Sequence, residues 1–205
     1  MGRRKLTPDA DVLTATMRVV NRVGPGRLTL ADVAAEAGLA PATLLQRFGS
    51  KRGLLLAVVE QSMAGVEECF ARVRDAHRSP LAAIIASLEE MTCMCETPEA
   101  MANSLAFLEM DLTDPAFHRL ALANSRATLA GYRALLEEAV AAGELVRCDT
   151  ARLARALSAM AGGSMLTWAI LREGTVTQWL RADIETLLGP LRKARPRAKV
   201  KRARA

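Results

Sequence analysis

The sequence predicts an all-α protein, an N-terminal three-helix head with a helix-turn-helix followed by a larger C-terminal helical body. Composition is the first reason: 51% of residues are hydrophobic but 3% are aromatic, which points to Ala- and Leu-rich helices and almost no strand. Punctuation is the second, since the long apolar segments open at proline, hydroxyl or carboxylate residues and close at glycine. Third, residues 28–56, LTLADVAAEAGLAPATLLQRFGSKRGLLL, carry the caps and the tight turn of two short crossing helices. A chain of 205 residues accommodates such a head and a body with its own core.

The first helix is expected over 8–23, burying Val12, Leu13, Val19, Val20 and Val23 and stopped by Gly24-Pro25-Gly26. Thr29 with Asp32 three residues on is a capping-box-like start. Leu30, Val33, Ala34 and Ala37 recur at i, i+3, i+4 and i+7, one apolar stripe, and Gly38 supplies a left-handed stop. After the turn Gly38-Leu39-Ala40, Pro41 opens the next helix at the position where its missing N–H costs nothing. Leu44 and Phe48 face inward, which leaves Ala42, Thr43, Leu45, Gln46 and Arg47 to solvent or a partner. Small Ala34 and Gly38 let the two helices cross closely, the geometry by which a helix presents side chains to a DNA major groove. Ser50 then caps a third segment whose first turn holds Lys51. A cation is disfavoured at the positive end of a helix dipole, so Lys51 suggests an outside anion such as a DNA phosphate.

The remaining helices are expected over 51–76, 80–95, 98–112, 115–142, 150–173 with Asp149 as cap, and 175–193. This gives a head over 1–51, a ligand-binding and dimerisation body over 52–191, and a basic tail over 192–205. No internal repeat is visible.

The segment Thr29-Leu30-x-x-Val33-Ala34-x-x-Ala37-Gly38-Leu39-x-x-x-Thr43-Leu44-x-x-x-Phe48-x-Ser50-Lys51-x-x-Leu54 strongly resembles the signature of the TetR family of bacterial one-component regulators, in spacing and residue type without a gap. The resemblance implies a sequence-specific DNA-binding transcriptional regulator, a repressor released from its operator by a small molecule. It implies DNA contacts from Thr29, Ala40, Pro41, Ala42, Thr43, Leu45, Gln46, Arg47 and Lys51, with Arg3, Arg4 and Lys5 as a basic arm along the neighbouring minor groove. Two positions depart from the family pattern. Leu45 stands where the family usually has a phosphate-binding tyrosine, and Ala40 replaces a Ser or Thr cap, a loss of about 1 kcal/mol of local helix stability. Gln46 suits adenine and Arg47 guanine edges, and Leu45 can touch a thymine methyl.

Charge agrees. Residues 1–51 hold eight Lys or Arg against four Asp or Glu; residues 192–205 hold eight basic residues and no acid. With a net charge of +6 overall, the middle is left at −6. Basic ends flanking an acidic body imply a polyanion met at the ends. The tail, RKARPRAKVKRARA, is read either as solubilising or as adding non-specific DNA affinity that compensates for Ala40 and Leu45. The longest uncharged run, residues 156–171, is 16 long, short of the roughly 20 needed to span a bilayer. No signal peptide follows the N-terminal Arg3-Arg4-Lys5, so a cytoplasmic location is expected.

In the body, Ala154, Ser158 and Gly162, flanked by Ala159 and Gly163, are small residues at helical spacing that let a facing helix approach and bury Met165, Leu166, Leu187 and Leu188. A two-fold homodimer on a pseudo-palindromic operator follows from these residues and from the resemblance, against packing within one chain. The resemblance implies a cavity among the middle helices, with Met91, Met94, Cys95, Met101, Phe107, Met110, Tyr132, Met165 and Trp168 as candidates. Such a lining suits an apolar or weakly polar effector. Two alternatives stand beside this. Cys93 and Cys95, with Cys69, Cys148, His77 or His118, could form a metal or redox sensor, or the protein could be a nucleoid factor without an effector. No metal site and no cofactor are expected. The absence of a Gly-rich phosphate loop, HExxH and G-x-S-x-G argues against an enzyme.

Overall fold

Most of the described helices start where a side chain satisfies the orphan backbone groups of the first turn, α1 and α3 excepted. The computed structural model describes residues 7–92 and 97–193, apart from the side chains of Met63 and Ala64. In order, the helices are α1 (Asp9–Arg27), α2 (Leu30–Ala37), α3 (Pro41–Phe48), α4 (Lys51–Ala76), α5 (Pro80–Thr92), α6 (Pro98–Thr113), α7 (Pro115–Ala141), α8 (Thr150–Leu171) and α9 (Val176–Leu188). The capping box at α2 is present: the Asp32 N–H donates to Thr29 Oγ1 at 3.2 Å and the Thr29 N–H to Asp32 Oδ2 at 3.0 Å. Gly38 ends α2 at φ 66°, a conformation that penalises any residue with a Cβ. Ser50, Thr97, Asp114, Asp149 and Thr175 cap α4, α6, α7, α8 and α9.

Three boundaries differ from the expected ones. Helix α1 breaks at Gly24 (φ 78°, ψ 157°), but a further turn follows to Arg27 because Pro25 is buried and starts it. Helix α8 stops at Leu171 with Arg172 in the left-handed region. Helix α9 stops at Leu188, since Gly189–Leu191 tightens into a 3-10 turn around Pro190. The chain then pairs back on the α7–α8 corner, where the Val146 N–H donates to Leu191 O at 2.8 Å and the Lys193 N–H to Glu144 O at 3.0 Å. The end of the expected 80–95 helix lies outside the described residues.

Two buried clusters form. The body cluster unites α5, α7, α8 and α9 around Ile84, Leu88, Leu136, Leu157, Trp168, Leu180 and Leu188. The head cluster joins Val12, Val19 and Val20 of α1, Val33 and Ala34 of α2 and Leu44 of α3 to Leu54, Leu55 and Val58 of α4 and Phe117 of α7. The core of the head expected over 1–51 thus extends past residue 51, because the first turns of α4 and α7 pack into it.

Helix α4, about 39 Å long at 1.5 Å per residue, runs parallel to α7. Arg52 grips Asp114 at the head end and Arg74 pairs with Glu138 at the other. Among the described residues, no helix is long and apolar enough to cross a membrane.

Candidate nucleic-acid interface and effector cavity

Helix α3 buries Leu44 and packs Phe48 against the head cluster, which leaves its opposite face available. Pro41, Ala42, Leu45 and Gln46 are exposed, Thr43 half-buried, and Thr29 and Ala40 lie exposed at the adjoining caps. Leu45 is 52% exposed, high for a leucine. Ala40 makes no side-chain cap bond, as its residue type requires. A close crossing positions α3 against α4: a Cβ on Gly53 would lie 2.1 Å from the Phe48 carbonyl oxygen, so only glycine fits there.

Two cations of this face already have internal partners. Arg47 donates from Nε to Asp9 Oδ1 at 2.7 Å, with Nη2 on the same oxygen. Lys51 Nζ donates to Gly26 O at 2.7 Å, which gives the ammonium an acceptor at the end of α1 and offsets its position at the positive pole of α4. Arg3, Arg4 and Lys5 lie outside the described residues.

Next to Lys51, Arg52 bonds both oxygens of Asp114, at 2.8 and 2.6 Å, and lies over the Phe117 ring at 5.8 Å. The Arg52 guanidinium and the Ala116 N–H hold the Asp114 carboxyl down at about 2. One carboxylate thus caps α7 and ties α4 to it at the head–body junction.

The body contains a cavity of about 390 Å³, lined by Ser62, Gly65, Val66, Cys69 and Phe70 of α4, Ser87, Glu90 and Met91 of α5, and Asn124, Thr128 and Tyr132 of α7. Phe70 and Tyr132 meet edge to face, with centroids 5.1 Å apart. The Tyr132 hydroxyl donates to Met91 Sδ at 3.3 Å, and burial pushes its pKa up to about 12. Glu90 accepts from the Cys69 thiol at 3.1 Å and pairs with Arg72; these donors hold its carboxyl below the usual range against the opposing effect of burial. The wall is thus mainly apolar and aromatic, with an ionised carboxylate paired to Arg72 and a few hydroxyl and amide groups, chemistry suited to an apolar or weakly polar molecule.

A family model described as bacterial regulatory proteins, tetR family, matches residues 12–58. A second, described as BetI-type transcriptional repressor, C-terminal, matches residues 80–189, more than half of the chain. The chain belongs to the TetR family of bacterial regulatory proteins. This TetR-family chain is 28% identical over 168 residues to the HTH-type transcriptional regulator BetI 2 of Chromohalobacter salexigens, covering 80% of this chain and 78% of that one. It superposes on a TetR transcription regulator from Haloarcula marismortui with a TM-score of 0.74 at 18% identity, covering 90% and 98% of the two chains. The transcriptional regulator FadR from Bacillus subtilis, in complex with stearoyl-CoA, gives a TM-score of 0.72 at 13% identity, covering 90% and 100%. The protein is a DNA-binding transcriptional regulator with a helix-turn-helix.

In this TetR-family structure the candidate effector residues divide. Met91 and Tyr132 line the cavity. Met101, Met165 and Trp168 do not: they are buried in the body cluster, because their helix faces turn toward α7 and α9. Phe107 and Met110 pack against the head cluster, since α6 lies along α1. Met94 and Cys95 lie outside the described residues. The other wall residues, Phe70, Ser87 and Glu90 among them, were not among the expected ones. Aromatic content alone could have flagged Phe70, whereas only the α4–α5 contact brings Glu90 in.

The expected dimer residues also divide. Ala154 and Leu188 are 1% exposed, filled by contacts within the chain, and Met165 is buried likewise. Ser158 and Leu187 are half-buried, while Ala159, Gly162, Gly163 and Leu166 are exposed. A Cβ on Gly162 or Gly163 would meet nothing within 4 Å. Leu166 at 42% and Ile170 at 70% exposure continue this stripe along α8.

Of the sensor candidates, Cys69 bonds Glu90, and the His77 and His118 ring nitrogens lie 2.8 and 3.1 Å from the Val73 and Asp111 carbonyls. Cys93 and Cys95 lie outside the described residues. Among the described residues, no group of three or more His, Cys, Asp or Glu could hold a metal ion.

The basic tail leaves the described chain at Lys193, beside the end of α7 remote from the head. Residues 194–205 of that tail lie outside the described residues.

Proposed function

We propose that the protein is a homodimeric repressor that occupies a pseudo-palindromic operator through α3 of each subunit and leaves it when an apolar or weakly polar molecule fills the body cavity. One observation carries this reading: the cavity wall and the head core share the same two helices. Val66, Cys69 and Phe70 lie on the α4 whose Leu54, Leu55 and Val58 complete the head, and Asn124, Thr128 and Tyr132 lie on the α7 that inserts Phe117. A ligand that separates α4 from α7 in the body therefore biases the attitude of both heads, and the spacing of the recognition helices changes with it. A coupling of about 1–3 kcal/mol between the sites is typical of such population shifts.

The exposed α8 stripe of Ala159, Gly162, Gly163, Leu166 and Ile170 is the surface on which the two copies meet, at close helix approach. The Bacillus subtilis neighbour is in complex with stearoyl-CoA, of which the acyl chain alone belongs to the proposed apolar class. The location fitting this function is cytoplasmic. On the DNA, Gln46 and Leu45 read base edges from the exposed side of α3, Arg47 reads a guanine, and Lys51 holds a phosphate in place of Gly26 O.

Fluorescence anisotropy with duplexes from the gene's upstream region tests the reading. Arg47→Ala is expected to cost about 1–3 kcal/mol on the specific site and Lys51→Ala to weaken all sequences alike. Hydrophobic compounds that raise the melting temperature are expected to release the DNA. Unchanged binding in both variants contradicts the assigned face, and stabilising compounds that leave DNA bound contradict the gating.

A further inference from the structure

We infer that Asp9, in the first turn of α1, is the positioning residue of the DNA-reading arginine, fixing which edge of the Arg47 guanidinium meets a base. The inference rests on the proposed reading of Arg47.

Arg47 occupies the last turn of α3, and its side chain turns back across the head to α1. Its Nε lies 2.7 Å from Asp9 Oδ1, and Nη2 donates to the same oxygen. The guanidinium also stands 5.8 Å from the Phe48 ring centroid. The Arg47 side chain is 20% exposed although its neighbours Leu45 and Gln46 are open to solvent, while Asp9 is 66% exposed. The arginine has been drawn down to the acid at the rim.

A guanidinium presents five N–H donors in a rigid plane. The Nε and Nη2 donors on one side are committed to Asp9, which leaves the Nη1 and Nη2 donors on the far edge. A guanine read through O6 and N7 needs two such parallel donors. An unheld arginine can offer either edge over many rotamers and must be ordered on binding; one clamped at Asp9 offers a single edge in advance. The acid has an opposing effect as well, since a carboxylate near the DNA face repels phosphate. Positioning and repulsion therefore separate experimentally: loss of positioning lowers discrimination between sequences, whereas loss of repulsion raises affinity for every sequence alike.

The test uses the full chain, the tightest duplex selected by wild-type protein from a random-sequence library, and each single-base variant of that duplex. Asp9→Asn keeps the shape and removes the charge, and Asp9→Glu restores the carboxylate on a longer stem. Asp9→Asn is expected to reduce the preference for the selected guanine by about ten-fold, with affinity for unrelated duplex unchanged or raised. Asp9→Glu is expected to recover most of the preference. Circular dichroism and melting temperature report that the head is folded, and a merely structural role for Asp9 would move these without changing the preference. A uniform rise in affinity with the preference intact overturns the inference and leaves Asp9 as a phosphate repeller. Arg47→Ala separates the two levels. If it removes the preference and Asp9→Asn does not, only the positioning role fails; if it leaves the preference intact, the reading of Arg47 and this inference fall together.

Discussion

Phe117→Ala is expected to unfold the head before the body, although Phe117 belongs to α7. The ring is 0% exposed and sits in the head cluster with Val12, Leu44 and Leu54. A fully buried phenylalanine withdraws 150–250 Å² from water, about 4–6 kcal/mol at 25 cal/mol per Å² as an upper bound. Truncation to alanine keeps the β-carbon but leaves a cavity, and the usual cost is about 3–5 kcal/mol. Losing the contact with Arg52, 5.8 Å above the ring, adds at most about 1 kcal/mol because the Arg52 side chain is itself 53% exposed. Against a total stability of about 5–15 kcal/mol, this is enough to open the smaller cluster on its own. Urea denaturation measures the total, and hydrogen exchange resolved by helix measures where it falls. Protection is expected to drop in α1, α2, α3 and the first turns of α4, with α5 and α8 nearly unaffected. A loss under about 1 kcal/mol, or one spread over the body while the head stays protected, would refute the assignment of Phe117 to the head core and with it the route by which the cavity acts on the head.

Asp114 gives a pH signature. Its carboxyl is depressed from 3.8 to about 2 by Arg52 and the Ala116 N–H, so its contribution is present above pH 3.8 and lost as pH falls through about 2. Asp114→Asn, which still caps α7, is expected to lie below wild type in stability at neutral pH and to converge with it in that acid window; a gap independent of pH would contradict this. Tyr132 is the single tyrosine of the chain, so ultraviolet titration reads it directly. Burial raises its pKa to about 12, and the neutral form's contribution is fully present below pH 10 and lost as pH rises through about 12. Phenolate formation near pH 10 with helix content intact would show that the cavity wall is open to water. Ile170→Lys, at a position 70% exposed, is expected to change monomer stability by no more than about 0.5 kcal/mol yet to shift the protein toward monomer in sedimentation. A dimer that survives it would move the subunit interface elsewhere.

Local chemistry was legible in the sequence where it acts within a few residues. The Thr29 and Asp32 box, the left-handed Gly38, Pro41 at a first helical position, and the caps at Ser50 and Asp149 each belong to the backbone of their own turn. No distant residue needs to be known to place them. The same range explains why Ala42, Leu45 and Gln46 could be named in advance as outward with Leu44 inward, whereas Thr43 is half-buried and Arg47 turns back to Asp9.

Partners were not legible, because a periodic apolar stripe states that a residue is buried without stating against what. Met165 and Trp168 have the composition of a ligand wall yet fill the body core, Phe117 and Met110 serve the head from the body's helices, and Ala154 and Leu188 face their own chain. The ionic contacts follow the same rule. Arg47 meets Asp9 across 38 residues and Arg52 meets Asp114 across 62, separations at which only the packing of α1, α3, α4 and α7 chooses the pair. The sequence by itself determined that this chain is helical and carries a DNA-reading head, since hydrogen bonds and side-chain direction within one helix are local. The tertiary structure alone decided that head and cavity share α4 and α7, because that depends on which apolar faces exclude water together.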